Sequence, residues 1–304
     1  MRLFTGAVIP KGADCVLRQE DTDEGEETVS IYSALSPWDN YVYQGEDFKE
    51  DQLLLPAGTV PDFAALGLMA SAGVSRVTVR RYPQTAVIST GDELVRPGTW
   101  PLPPGKIYNS NSALLAARLA EWNIPHSVGH AQDDPEQVAI KIKEFLLDHD
   151  VIVTTGGVSV GQKDCIVRAL ELLGAEIVFH GVRLKPGSPA LFARLDGRYI
   201  LALSGNPFAA ATTVELLVKP LLHALTEDPR LQTERLRAVL DTPFPKAGRG
   251  RRFLRGKYAQ GHVTLPEGHS SGQLASLVGC NCLVDVPAGS PPLEAGQEVE
   301  LVLL

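Results

Sequence analysis

Between residues 151 and 173 an apolar, strand-length segment, Val151-Ile152-Val153, runs directly into Thr154-Thr155-Gly156-Gly157-Val158-Ser159-Val160-Gly161-Gln162-Lys163-Asp164 and then into a helical pattern. Glycines between a strand and a helix let backbone amides approach an anion, and the helix amino terminus adds positive potential. Three further loops have a similar setting: TGDEL at Thr90 to Leu94, KPGSP at Lys185 to Pro189 and SGNP at Ser204 to Pro207. Each follows or adjoins an expected strand.

The surrounding sequence, about 75 to 228, predicts the same alternation. Strands are expected at Thr85–Ser89, around Val128, and at Val151–Thr154, Ile177–His180, Ala190–Ala193 and Tyr199–Leu203. Helices are expected at Ser110–Trp122 with Ser110 or Asn111 as cap, at Pro135–Asp148 capped by Asp134, and at Asp164–Leu173 and Asn206–Leu225. Such alternation gives a three-layer α/β fold with a mostly parallel sheet, and ligands bind beyond the carboxyl ends of its strands. All four loops are expected at such ends. Residues 1–55 read as a partial β-domain of short segments (Asp14–Arg18, Thr28–Tyr32, Trp38–Gln44), and 56–75 as a helical connecting segment over Pro61–Gly73. Residues 229–304 return to β patterning, as in Cys282–Val286 and Val299–Leu304, and are expected to form a small carboxy-terminal β-domain.

With 304 residues, 44% hydrophobic and 21% charged, the chain can bury a large core and exceeds one domain. Its apolar runs fall short of a membrane span and its start lacks a secretory leader, which points to the cytoplasm and to no membrane. Cys15, Cys165, Cys280 and Cys282 show no zinc-ligand spacing and are expected as reduced thiols. His126 and His130 are four apart, but Gly129 between them and the expected strand argue against a helical ligand pair. A net charge of -8 argues against nucleic-acid binding. The acidic run Glu20 to Glu27 reads as a solvated hairpin turn, and the basic run Lys246 to Lys257 as a strand with solvated charges around Phe253 and Leu254. Holding a phosphorylated ligand is the second reading of that basic run.

The chemistry-bearing positions are acidic and glycine-rich. Glu93 with Asp92, Asp133 with Asp134, and Asp164 stand at loop tips where carboxylates could converge on a hard cation such as Mg2+. The competing reading makes Asp134 and Asp164 simple helix caps, and for Asp134 the cap is preferred, leaving Asp133 as the functional candidate. The glycine run is neither a Walker loop nor a dinucleotide fingerprint. Ser159 could offer its hydroxyl to a phosphate. Lys185, stiffened by Pro186 and Gly187, could present a point charge to an oxyanion, and an extended segment would put Arg183 on the same face. No Gly-x-Ser-x-Gly elbow supports a hydrolase.

Together with LFTGAVIPKGADCVLRQED at the start, GED at Gly45 to Asp47, LPAGT at Leu55 to Thr59, KIYNSN at Lys106 to Asn111 and QDDPE, these motifs resemble the MoeA family of molybdopterin molybdenumtransferases, relatives of the gephyrin E domain. The glycine loop alone is shared with MogA-like adenylyltransferases and CinA-like proteins. The start and the carboxy-terminal β-domain separate them. The resemblance implies insertion of molybdate into adenylylated molybdopterin with Mg2+ assistance and release of AMP, by a homodimer with a small-molecule pterin substrate and a possible MogA-like adenylyltransferase partner. It implies Glu93, Asp133 and Asp164 as acidic and metal positions, Lys185 as the ligand lysine, Thr5 and Asp47 as small-domain positions facing the site, and Ser276 as a further candidate. Cofactor-binding positions would be Thr155, Gly156, Gly157, Val158, Ser159, Gly161, Lys185, Pro186, Gly187, Gly205, Asn206 and Pro207. The family carries a further amino-terminal region ahead of the position of Met1. It also tends to have cations where this chain has Val42, Gly181 and Ser188. A truncated, non-catalytic molybdopterin-binding paralogue is therefore the alternative reading, and an in-frame upstream continuation a third.

Overall fold

Left-handed backbone at Glu24, Trp38 and Asn40 (φ 54, 76 and 56) marks turns in the amino-terminal region. The computed structural model describes residues 1–158 and 165–304, which form two compact units, 1–77 and 78–304. In the first unit the three expected strands are replaced by turns. Asp14 and Val16 do lie beside Trp38 and Asp39, and Asp21 and Asp23 beside Ser30 and Tyr32, but the pairing stops at single bonds and one isolated bridge, Thr22 to Ile31. The acidic run is exposed at that turn, as expected. Helix α1 (Phe63–Ser71) begins where the Asp62 side chain accepts from Ala65 N at 2.8 Å, and ends at Gly73 with φ 75.

The second unit contains the strands β1 (Thr85–Thr90), β2 (Leu94–Val95), β3 (Ile107–Tyr108), β4 (His126–Ala131), β5 (Val151–Thr155), β6 (Glu176–His180), β7 (Leu184–Lys185), β8 (Leu191–Leu195) and β9 (Arg198–Leu203). Between them lie α2 (Ser110–Glu121), α3 (Pro135–Phe145) and α4 (Cys165–Leu173). The six-stranded sheet has the order β4-β1-β5-β9-β8-β6, with β4, β1, β5 and β9 parallel. Strand β8 runs the other way because Asp196 and Gly197, both at positive φ (48 and 74), close a two-residue hairpin onto β9. Every residue of β1 and β5 is buried, as in a strand covered on both faces. Ala86, Ile88, Ile152 and Ile200 pack with Val138 and Ile142 of α3 and Ile166 and Leu170 of α4. Val87, Val153 and Leu201 pack on the other face with Leu115 and Leu119 of α2. The cap of α2 is Asn109, whose side chain accepts from Ser112 N, rather than Ser110 or Asn111. Asp134 caps α3 as expected.

The last helical stretch is α5 (Pro207–Thr213), a π turn (Val214–Val218) and α6 (Lys219–Thr226). It is long and apolar enough by composition to cross a membrane, and 56% of its most apolar window is buried against protein. One side faces the sheet through Val214, Val218 and Leu222. The other meets the carboxy-terminal strands through Phe208 and Leu216, packed with Phe253, Leu283 and Val302. Those strands are β10 (Arg235–Leu240), β11 (Arg251–Ala259), β12 (His262–Thr264), β13 (Cys282–Val286) and β14 (Glu298–Leu303). Pairing runs β12-β10-β14-β13-β11 and back to β12, so the small sheet closes into a barrel filled by Leu240, Phe244, Leu254, Val284 and Leu301. Strand β7, which carries Lys185, pairs with β11 at the barrel's edge.

Candidate anion-binding active site

The carboxyl ends of β1, β5 and β9 hold the glycine-rich turns in place by close backbone contact. Gly156 and Gly157 have φ of 89 and 62, and a Cβ on either would strike Thr90, at its backbone oxygen or its hydroxyl. Thr90 Oγ1 donates to Thr155 O at 3.4 Å. Asn111, 8% exposed at the start of α2, donates through Nδ2 to Thr155 Oγ1 (3.2 Å) and Gly205 O (2.8 Å), tying the loops after β5 and β9 together. Thr155, Gly156, Gly157, Val158, Gly205 and Asn206 are therefore neighbours on one edge. Ser159, Gly161 and Asp164 lie outside the described residues.

Glu93 and Asp133 come together at the tips following β1 and β4. Both are exposed. Asp133 N donates to Asp92 Oδ1 at 3.2 Å, and partial burial together with the charges of Glu93 and Asp92 pushes the Asp133 carboxyl above its ordinary pKa. The loop is fixed by His130 Nε2 against Gly91 O (3.0 Å) and by Lys106 Nζ donating to Asp92 O. Among the described residues, no group of three or more His, Cys, Asp or Glu side chains is placed to hold a metal.

Lys185 sits beyond the same edge. In the extended stretch Gly181 to Lys185 exposure alternates, and Arg183 and Lys185 share the exposed side. The Lys185–Pro186 peptide is cis and Gly187 has φ 102. A cavity of about 810 Å3 opens between this turn and the barrel. Lys185, Ser188, Ser204 and Asn206 line one side, and Lys246, Arg252, His269 and Ser270 the other. Phe244 also lines it, with the Arg252 guanidinium 5.3 Å above its ring and His269 edge-on at 5.3 Å. Burial, with Arg255, Lys246 and Arg252 adding to it, pushes the His269 pKa below its ordinary value, so its ring is neutral at pH 7. Three cations and neutral donors around one hollow suit an oxyanion.

Arg255 departs from the solvated reading of the basic run. It is fully buried, stacks its guanidinium 3.7 Å from the Phe208 ring centroid, and donates to Ser270 O, to Gln273 O and to Ser276 Oγ at 2.8 Å. Ser276 is thus engaged by Arg255. Thr5 and Asp47 belong to the amino-terminal unit, where both are exposed.

Comparison with known proteins resolves what this site belongs to. The model of a probable molybdopterin binding domain matches residues 86–224, that of the MoeA N-terminal region (domain I and II) residues 1–73, and that of the MoeA C-terminal region (domain IV) residues 237–304. Molybdopterin molybdenumtransferase of Staphylococcus aureus (strain COL) is 35% identical over 308 residues, which span 100% of this chain and 73% of that relative. The chain belongs to the MoeA family. The MoeA relative from Staphylococcus epidermidis (strain RP62A) is 34% identical over the same span. The crystal structure of the molybdopterin biosynthesis MoeA protein from Pyrococcus horikosii superposes with a TM-score of 0.82 at 30% identity, over 98% of this chain and 74% of that one. MoeA membership places the chain among enzymes of molybdenum cofactor biosynthesis and separates it from MogA-like and CinA-like proteins.

Sequence reasoning left the barrel side of the cavity largely unassigned. His269 carried no signal, since a lone histidine in a polar turn fits many roles. Lys246 and Arg252 were visible as a basic run, but which of its cations face a ligand depends on strand register. Arg252 faces Lys185 in the β7 pairing, while Arg255, three residues on, is buried. The departures at Gly181 and Ser188 also have places. Ser188 lines the cavity, and Gly181 has φ 90 in the turn after β6.

Proposed function

We propose that this chain is a molybdopterin molybdenumtransferase that inserts molybdate into adenylylated molybdopterin, with Mg2+-dependent release of AMP. The observation that carries the reading is the cavity in which Lys185, Lys246 and Arg252 converge at the sheet edge that also bears the glycine turn. A tetrahedral dianion such as molybdate fits such a hollow. Lys185 and Arg252 bind and orient it, and the neutral His269 ring offers one further hydrogen bond without adding charge. The phosphates of the pterin nucleotide are assigned to the turn at Thr155 to Val158, continued by Ser159 and Gly161, with Gly187, Gly205, Asn206 and Pro207 shaping the neighbouring walls.

The residues present fit Mg2+. Glu93 and Asp133 are hard oxygen donors, and the Asp133 pKa is raised first by burial and then by the Glu93 charge, a repulsion that a divalent cation relieves. Asp164 is proposed as the third acidic ligand. Bound there, Mg2+ would neutralise phosphate charge and favour departure of AMP. Lys106 and His130 hold the carboxylate loop in position through its backbone oxygens. Thr5 and Asp47 are proposed as functional positions within the amino-terminal unit. The working form is proposed as a cytoplasmic homodimer that receives substrate from a MogA-like adenylyltransferase.

The test is AMP release from adenylylated molybdopterin on adding molybdate and Mg2+ to the purified chain, with a full-length relative as control. Metal-dependent release establishes the transferase. Saturable binding of the adenylylated ligand with no release, the control being active, replaces it with the non-catalytic binding paralogue. Lys185→Met should raise the molybdate concentration for half-maximal release about tenfold or more, the loss of one charge-assisted bond being about 1.5–3 kcal/mol.

A further inference from the structure

Among the described residues two cationic side chains are buried, Arg255 at 0% exposed and Lys219 at 7%, and they differ in what balances their charge. Lys219 lies 3.9 Å from the Glu215 carboxylate. Arg255 has no carboxylate partner among the described residues. Its acceptors are all neutral: Ser270 O at 2.7 Å, Gln273 O, and Ser276 Oγ at 2.8 Å, with the guanidinium stacked 3.7 Å from the centroid of the Phe208 ring. Arg251, four residues earlier on the same strand, is exposed and yet paired with Asp285 at 2.5 Å. Taking a guanidinium out of water without a counterion is costly, and hydrogen bonds to neutral oxygens return only part of that cost. Burial pushes the Arg255 pKa below its ordinary value, but an arginine stays charged at any working pH.

The segment that Arg255 holds is the barrel wall of the oxyanion cavity. Gly268, His269, Ser270 and Ser271 line the hollow beside Lys185 and Arg252, and the guanidinium draws in the backbone oxygens of Ser270 and Gln273. Ser270 N donates to Gln273 Oε1 at 3.0 Å, and Phe208 N to Ser271 O at 2.9 Å. The turn is thus wrapped around one cation. After burial, the Arg255 charge is the next cause that holds the His269 pKa low, so its field reaches the cavity wall.

We propose that Arg255 is a specificity-determining residue that acts without touching the ligand: its uncompensated charge selects a dianion for the cavity, and its donors position the turn that forms the barrel wall. The bound oxyanion supplies the counterion that the protein itself leaves out. This role rests on the reading of the cavity as the molybdate site. Coulomb energy is linear in ligand charge, so losing the Arg255 charge costs a dianion twice the free energy that it costs a monoanion of the same size in the same place.

The experiment is isothermal titration of the full chain with molybdate and with perrhenate, a tetrahedral monoanion of similar size. Arg255→Gln keeps an amide donor for one carbonyl and removes the charge, while Arg255→Lys keeps the charge and loses the planar fork. Arg255→Gln should weaken molybdate binding about tenfold and perrhenate binding only about threefold, and Arg255→Lys should restore the wild-type ratio of the two affinities. A purely structural role predicts equal losses for both anions in Arg255→Gln, and that result would overturn the assignment. Wild type gives a second measurement that needs no variant: its preference for molybdate over perrhenate should persist in about 0.5 M sodium chloride, where the exposed Lys185 and Lys246 are screened and a buried charge is screened little. A preference that disappears in salt belongs to those exposed lysines and overturns the role of Arg255. Molybdate binding weakened by Lys185→Met, with an unchanged anion ratio in Arg255→Gln, refutes the role of Arg255 and leaves the transferase reading intact; the expected change of ratio without AMP release does the reverse. No saturable molybdate binding in wild type overturns both.

Discussion

Gly187→Ala tests whether the turn that aims Lys185 is fixed by packing against α5. Gly187 is buried with φ 102, and a Cβ placed there would come closer to Thr213 Cγ2 than side-chain carbons ever approach, with Ala209 O and Leu184 Cδ1 each 3.5 Å away. The positive φ costs an alanine about 1–2 kcal/mol, and overpacking adds about 1–3 kcal/mol. Thr213 cannot yield easily. It is fully buried, is β-branched, and donates through Oγ1 to Ala209 O at 2.8 Å. The expected loss is therefore about 2–5 kcal/mol. Thr213→Ser removes the clashing methyl and keeps the hydroxyl, at a cost of its own near 1 kcal/mol. In the double variant the overpacking disappears while the φ cost remains, so the cycle should show a favourable coupling of about 1–3 kcal/mol. Urea unfolding followed by circular dichroism measures the four free energies, and molybdate affinity should fall in Gly187→Ala and partly return in the double variant. A Gly187→Ala chain within about 0.5 kcal/mol of wild type, or one that Thr213→Ser does not rescue, refutes the packing account.

Three further outcomes are expected. The Asp133 pKa is raised in the folded chain, so its ionised form costs stability above that pKa and the cost vanishes as pH falls through it; Asp133→Asn should raise the melting temperature at pH 7.5 without Mg2+ and abolish stabilisation by Mg2+, and a full Mg2+ response in the variant would remove Asp133 from the metal site. Asp228 is held at about 2, below the ordinary 3.8, by hydrogen bonds from Arg230 and Tyr82; it is 5% exposed, so about 2 kcal/mol of stability is present above pH 3.8 and lost as pH falls toward 2. Urea titrations from pH 2 to 5 should show this slope in wild type and a flatter one in Asp228→Asn, and equal slopes would contradict it. Asp164→Asn should lower Mg2+-dependent AMP release at least tenfold without moving the melting temperature; unchanged turnover would leave Asp164 without a metal role.

The central sheet was legible because its signals are local. Strands such as Val151–Thr155 are unbroken apolar runs, and the Asp134 cap and α3 follow in order along the chain. Hairpin chemistry at Asp196-Gly197 was legible too, and reading it would have reversed β8 in advance. The amino-terminal strands failed for a different reason. Their residues favour extended backbone, but left-handed turns at Glu24, Trp38 and Asn40 interrupt the stretch, and of these only Asn40 is a residue type that favours such an angle. The cavity was half legible: Lys185, Pro186 and Gly187 form a recognisable motif, whereas Lys246, Arg252 and His269 come from separated turns and strands of the barrel.

That division says something about how the site is built. By sequence, Lys185 belongs to the α/β region, yet its strand β7 pairs with β11, and Arg252 is its register partner there. The other end of the turn is held by α5, through the close packing of Gly187 on Thr213, and α5 is itself tied to the barrel, with Phe208 N donating to Ser271 O at 2.9 Å and the Phe208 ring beneath Arg255. Lys185 is thus positioned by two elements, both of which depend on the barrel. An α/β layer without the barrel would retain the glycine turn, as its contacts with Thr90 and Asn111 are internal to that layer, but would lose the partners that aim the lysine. The barrel therefore supplies more than half of the cavity wall. Its closed pairing gives the turn a fixed edge to build on, and this explains why the motif KPGSP, which lies between β6 and β8 in sequence, completes its geometry only when residues 235–303 are in place.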